Sequence, residues 1–347
     1  MPGFDGPPSD HGRRALMRAP WDLAPLVILA CFSTLAVVLL DLLGIEPGLS
    51  SPLRDAPATW VLVLAFPLIV ALLDATVRRL RRRLPWAEAL RRVPARRILE
   101  LAVVVAALRL LLLSAVARKE AIPHLRGGFL WDGRLAAADR WLHGGVTPDH
   151  YLRWLLDSPG LLRAVDLFYL EGFWIGCVSV LLWWGWRQDP ERGRFFTAFA
   201  LVWLVLGALV ATVFSSAGPC YYQLVTGDPL YARLMETLHR QPLAATGIQE
   251  LLWRNYLGQA TGVAEGISAF PSIHVAMPAL FAWSARGAWR WPAWSFCLLV
   301  LLGSVALGWY YALDGYAAIP GAWLCWWAAG AVAPGHPPAE AQTDSPL

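Results

Sequence analysis

Three short stretches hold residues whose types and spacing could do chemistry: SSAGPCYYQ at 215–223, SAFPSIHVAMP at 268–278 and GSVALGWYYALDG at 303–315. His274 is the side chain that changes charge near neutral pH, so it can give or take a proton. Asp314 follows Tyr310 by one helical turn, the spacing that places two side chains on one helix face. Ser268 and Ser272 add hydroxyls beside the histidine. Each residue alone has a plain structural role: a serine as helix cap, the histidine as an interfacial polar group, the aspartate as a solvated helix end. Together they carry more weight if the elements around them cross a membrane, where ionisable groups are costly and mark function.

Composition says that they do. Of 347 residues, 57% are hydrophobic and only 16% charged, with 20 Trp; a soluble domain is about 25% charged. The chain is read as all-α, a polytopic transmembrane bundle. A hydrocarbon core about 30 Å thick takes about 20 apolar residues per helix. Eight stretches fit, at roughly 24–46, 58–78, 98–117, 162–186, 195–216, 269–285, 292–312 and 316–333. The first is too long for a signal-peptide core and follows an acidic, proline-containing leader, so it is read as a retained span. The formal net charge of +4 is modest and the arginines sit in short loops, which excludes nucleic acid as a partner. The five cysteines show no paired spacing of a metal site or disulfide framework.

Arginine placement sets the expected orientation, because short basic loops stay cytoplasmic. RRLRRRLPWAEALRRVPARR at 78–97, RQDPERGR at 187–194 and ARGAWR at 285–290 all share the side of Arg13, Arg14 and Arg18 if there are eight spans. The connections at 47–57, 118–161 and 217–268 then face outward, and long connections of this kind are often functional. The chain divides into a disordered cytoplasmic tail (1–20), N-terminal transmembrane helices (21–117), an outer interfacial segment (118–161), a transmembrane core (162–333) and a disordered tail (334–347). Within 118–161, Trp131, Leu135, Ala138 and Leu142 form a stripe opposite Asp132, Arg134, Asp139 and Arg140, the pattern of a helix lying in the interface or of a surface helix packed on its own protein. A descending and an ascending span bring His274 and Asp314 to the same outer surface, although they are 40 residues apart.

These stretches resemble the type 2 phosphatidic acid phosphatase superfamily, most closely its inositol phosphorylceramide synthase-like branch. FPSIHVAM is similar to the branch's second motif, GWYYALDGYAAIPG to its third and AGPCYY to its Pro-aromatic first, over about 195–330. The resemblance implies a membrane lipid or lipid phosphate as partner, no metal and no cofactor. It implies that His274 protonates the leaving oxygen, that a third-motif histidine attacks phosphorus to form a phosphohistidine, and that Asp314 orients that histidine.

The nucleophile position, four before Asp314, is Tyr310, and no histidine lies between His274 and His336. The arginine common a turn or two earlier is also absent, with Ser304 in its region. The expectation is an inner-membrane, multi-pass protein with an outward-facing phospholipid headgroup pocket, impaired or non-catalytic because Tyr310 replaces the histidine. Ser272, Tyr222, Arg233 and Arg109 are its expected binding residues, with Asp166 or Glu171 as ion-pair partners for Arg109. The alternatives are an active lipid phosphatase or inositolphosphotransferase using Tyr310 or His239, and a transporter or scaffold.

Overall fold

The computed structural model describes residues 21–42, 60–259 and 266–332. Both expected tails, 1–20 and 334–347, and the connection at 47–57 lie outside the described residues. Twelve helices of at least 6 residues carry the described chain, beginning with α1 (Ala24–Leu42), α2 (Trp60–Arg82), α3 (Trp86–Arg91) and α4 (Ala95–Arg126). Next come α5 (Asp132–Leu142), α6 (Pro159–Trp186), α7 (Arg192–Val213), α8 (Ala232–His239) and α9 (Ala244–Tyr256). The last three are α10 (Ile273–Ser284), α11 (Arg290–Ala306) and α12 (Ala312–Val332). Among the described residues there is no strand, so the protein is an all-α membrane protein.

Each expected span coincides with a helix. Segments Ala95–Arg126, Pro159–Trp186, Arg192–Val213 and Gly287–Ala306 are long and apolar enough to cross a membrane, and Ala24–Leu39 and Ile273–Ser284 are shorter apolar helices. The outward faces are greasy: Ile28, Phe32, Leu72, Ile175, Leu209 and Trp327 are all exposed. Such exposure is costly in water and ordinary against lipid tails. Inside, Phe195, Phe196 and Phe199 of α7 are wholly buried with Leu111 of α4 and Phe173 of α6.

One end of the bundle is tied by arginine. Arg192 is 1% exposed, with Nε 2.7 Å from Asp22, Nη2 3.0 Å from Asp22 and Nη1 2.9 Å from Glu100. Glu100 also accepts from Arg96 at 2.8 Å and from Gln188 at 3.0 Å. Arg286 lies 3.7 Å from Asp189. Buried ions hold together only when paired in this way, and the pairing gathers Asp22 and the loops at 78–97, 187–194 and 285–290 at one end.

The opposite end holds the motif stretches, and there α5 departs from the expected amphipathic reading. Asp132 and Asp139, placed on the polar stripe by spacing, are 1% and 0% exposed. Trp141 and Leu142, by contrast, are exposed. The helix is turned by what its carboxylates find inside: backbone N–H groups without partners of their own. Helix α4 also runs on to Arg126, beyond the expected end of its span near 117.

Candidate functional site

His274 stands in the first turn of α10, where Ser272 is the N-cap and its Oγ accepts from the Val275 N–H at 3.3 Å. Ser272 is fully buried, so its visible role is to start the helix that carries the histidine. The imidazole is packed by rings from α6. Phe173 stacks on it at 4.6 Å between centroids and Tyr169 at 5.5 Å, while Trp174 meets it edge-on at 6.3 Å. Tyr169 lies in a widened π turn at Phe168–Gly172, with Phe173 just after it. Such turns re-aim side chains and recur at functional sites. Gly303 of α11 makes room, because a Cβ there would lie 3.0 Å from the Tyr169 ring.

Tyr310 occupies the turn between α11 and α12. Its hydroxyl is 2.9 Å from Nδ1 of His274. The Ser304 carbonyl positions this turn, accepting from the Trp309 N–H at 3.0 Å and the Tyr310 N–H at 3.3 Å. Ser304, in the region where the resemblance expects an arginine, is fully buried and contributes its backbone carbonyl.

Asp314 does not face Tyr310 along a helix. Helix α12 begins at Ala312, so the one-turn spacing from 310 to 314 spans a turn rather than a helix face. The Asp314 carboxylate reaches back to accept the Tyr311 N–H at 2.9 Å, the reciprocal half of a capping box. Its other oxygen is buried and, among the described residues, accepts no hydrogen bond. The Asp314 carbonyl accepts the Ser272 N–H at 3.2 Å, which ties the second and third motifs through the backbone.

The first motif joins by the same means. Cys220 N–H donates to the Gly308 carbonyl at 2.8 Å. Gly218 adopts φ +99°, and a Cβ there would come within 2.5 Å of the Trp309 carbonyl, so only glycine lets the loops approach so closely. Tyr222 is buried edge-on to Tyr231 at 5.3 Å, and Tyr231 in turn lies 5.9 Å from Tyr311.

The residues that spacing did not single out for the site are the aspartates of α5. Asp132 accepts from the Ala217 N–H at 2.8 Å, the Gly218 N–H at 2.9 Å and the Tyr311 hydroxyl at 2.7 Å. Asp139 accepts from the Ala312 and Leu313 N–H groups at 3.1 and 3.0 Å, capping α12 from another helix. Burial pushes both carboxyl groups above their ordinary pKa, and the donated hydrogen bonds pull the other way.

The other expected binding residues lie apart. Arg233 is exposed on α8. Arg109 sits half-buried in α4, about 15 Å deeper along the helix than Lys119 at 1.5 Å per residue. The Asp166 carboxylate oxygens accept from the Ala244 and Ala245 N–H groups at 2.7 and 3.0 Å and so cap α9. His239 is exposed, and its Nδ1 lies 2.7 Å from the Met235 carbonyl of its own helix.

Two cavities adjoin. One of about 10 Å³ touches Tyr310, Tyr311, Asp139 and Pro219. The other, about 280 Å³, lies beyond it, with Arg140, Arg153 and Arg233 in its wall. Asp149 and Leu234 line both. Among the described residues, no group of three His, Cys, Asp or Glu side chains is placed to hold a metal ion.

No curated protein and no solved structure matches the chain. A family match does exist: the pattern of the PAP2 superfamily fits residues 133–328, which takes in all three motif stretches and reaches back to α5. With the match covering more than half of an all-α membrane chain, this protein belongs to the PAP2 superfamily.

Proposed function

We propose that this lipid-phosphatase-like membrane protein binds a phosphorylated lipid headgroup at the motif end of the bundle and does not transfer the phosphoryl group. The observation that carries this reading is the hydrogen bond between Tyr310 and His274. It fills the place where the inositol phosphorylceramide synthase-like branch puts a nucleophilic imidazole, and the space beside Tyr310 is about 10 Å³. A water molecule needs about that much, and a phosphoryl group needs more. On this reading the motif end faces outward, since the paired arginines gather at the other end and basic loops stay cytoplasmic.

The same hydrogen bond favours one rival. Tyr310 could pass its proton to His274 Nδ1 while its oxygen attacks phosphorus, giving a phosphotyrosine; His274 would then return the proton to the leaving oxygen, and water would release phosphate. A phenol of ordinary pKa about 10 is a poor nucleophile without a strong base or cation beside it. The test measures phosphate release from phosphatidic acid vesicles by the parent, Tyr310→Phe and Tyr310→His. Binding to the vesicles without release by the parent is the expected result. Release that disappears in Tyr310→Phe would establish the tyrosyl route instead, and a parent that neither binds nor releases would overturn both readings.

A further inference from the structure

The larger cavity lies outside the three motif stretches and has a wall of unusual composition. Arg140 (α5), Arg153 and Arg233 (α8) bring three guanidinium groups to it, together with His150 and the two carboxylates Asp149 and Asp157. Arg140 gives Nε and Nη2 to the Gly145 carbonyl at 3.1 and 3.0 Å, which fixes its head at the rim. Among the described residues, the Arg153 and Arg233 guanidinium groups make no hydrogen bond or ion pair, and both residues are exposed. Asp149 has a buried carboxylate oxygen with no hydrogen-bond partner among the described residues. A buried acceptor left unmade is expensive, and it is explained when a ligand supplies the donor.

Two chemistries are thus present in about 280 Å³. Guanidinium groups match phosphate oxygens in charge and fork geometry. Carboxylates repel phosphate but accept hydrogen bonds from hydroxyl groups. One ligand satisfies both: a phosphate carried on a hydroxyl-rich group. We propose that this cavity binds a sugar phosphate headgroup, with Arg140, Arg153 and Arg233 on the phosphate and Asp149 and Asp157 on the hydroxyls. Asp149 and Leu234 then form the partition that holds the ligand short of Tyr310. This rests on the reading of the protein as a headgroup binder and assigns the binding to residues outside the family motifs.

The test uses the full protein in nanodiscs, titrated calorimetrically with inorganic phosphate and with glucose 1-phosphate. The parent binds both, glucose 1-phosphate more tightly. Arg153→Gln and Arg233→Gln each weaken both probes on the order of tenfold, the scale of one charge-assisted hydrogen bond. Asp157→Asn weakens glucose 1-phosphate and spares inorganic phosphate. Arg240→Gln, an exposed α8-flanking arginine outside the cavity, changes neither. Repeating the titration in nanodiscs that contain phosphatidylinositol separates the sources: competition assigns the headgroup to a lipid, and its absence assigns it to a free sugar phosphate. Titration curves of the double arginine variant that superpose on the parent, failure of the parent to bind either probe, or a loss confined to His274→Ala would each overturn the proposal. Phosphate release by the parent would overturn the non-catalytic reading alone, since the arginine variants report on the cavity separately.

Discussion

The Tyr310 hydroxyl and the His274 imidazole lie 2.9 Å apart, joining the first turn of α10 to the turn before α12 although 36 residues of sequence separate them. The ring of His274 is otherwise packed by Tyr169 and Phe173, which offer it stacking faces. Removing the phenol oxygen leaves Nδ1 without this partner in a largely apolar setting. Tyr310→Phe should therefore lower stability by about 1–2 kcal/mol, seen as an earlier thermal transition in detergent. An unchanged transition would show that the hydrogen bond contributes nothing to the fold.

Asp132→Asn tests the link between the first and third motifs. An amide in place of the carboxylate has one acceptor oxygen for three donors, Ala217, Gly218 and Tyr311. The expected loss is about 2–4 kcal/mol, because the bonds to a charged acceptor are the strong ones. Chemical denaturation in mixed micelles measures it, and a loss below that of Tyr310→Phe would mean that solvent replaces these bonds.

Asp139→Ala removes the cap that α5 gives to α12 at Ala312 and Leu313. The expected cost is about 1–2 kcal/mol, and Asp139→Asn should recover part of it because the amide oxygen still accepts a hydrogen bond. Equal stability of the two variants would mean that a neutral acceptor does not cap α12 and that the carboxylate charge carries the effect.

Gly218→Ala places a Cβ against the Trp309 carbonyl and forces a side chain to adopt φ +99°. A loss of about 1–3 kcal/mol is expected, the range for residues held in sparsely populated backbone regions. Wild-type stability would mean that the loops at 217–220 and 308–310 separate at little cost.

Orientation is tested by cysteine labelling with a membrane-impermeant reagent on intact cells. Asp228→Cys, exposed at the motif end, should label, and Asp189→Cys, at the arginine-paired end, should label only after lysis. The reverse pattern would place the headgroup cavity on the cytoplasmic side.

The helical class and the convergence of the motif stretches were legible because both rest on strong one-dimensional signals. Apolar runs of span length give the helices, and a hairpin of spans brings residues 272–274 beside 310–314. The partners within that convergence were not legible. Tyr310 and Asp314 have helical spacing, yet α12 begins only at Ala312, and the one local signal of the break, Gly308 at φ +72°, stands two residues before Tyr310. The aspartates of α5 misled for a related reason. Amphipathic patterning treats carboxylates as water-facing, but backbone N–H groups at the starts of loops and helices are an alternative solvent for them. The aromatic wall around His274 depends on a π turn in α6, which shifts the face of everything after it by a residue.

Helix α5 grips both the loop at 217–218 and the first turn of α12 with side chains spaced seven residues apart. The amides of Ala217, Gly218, Ala312 and Leu313 would be among the first to exchange with deuterated water if each segment frayed on its own, since none has a carbonyl partner inside a regular helix. Held by one rigid element, they open together or stay closed. Their hydrogen-exchange protection should therefore share a single opening free energy, and loosening α5 should release all four at once.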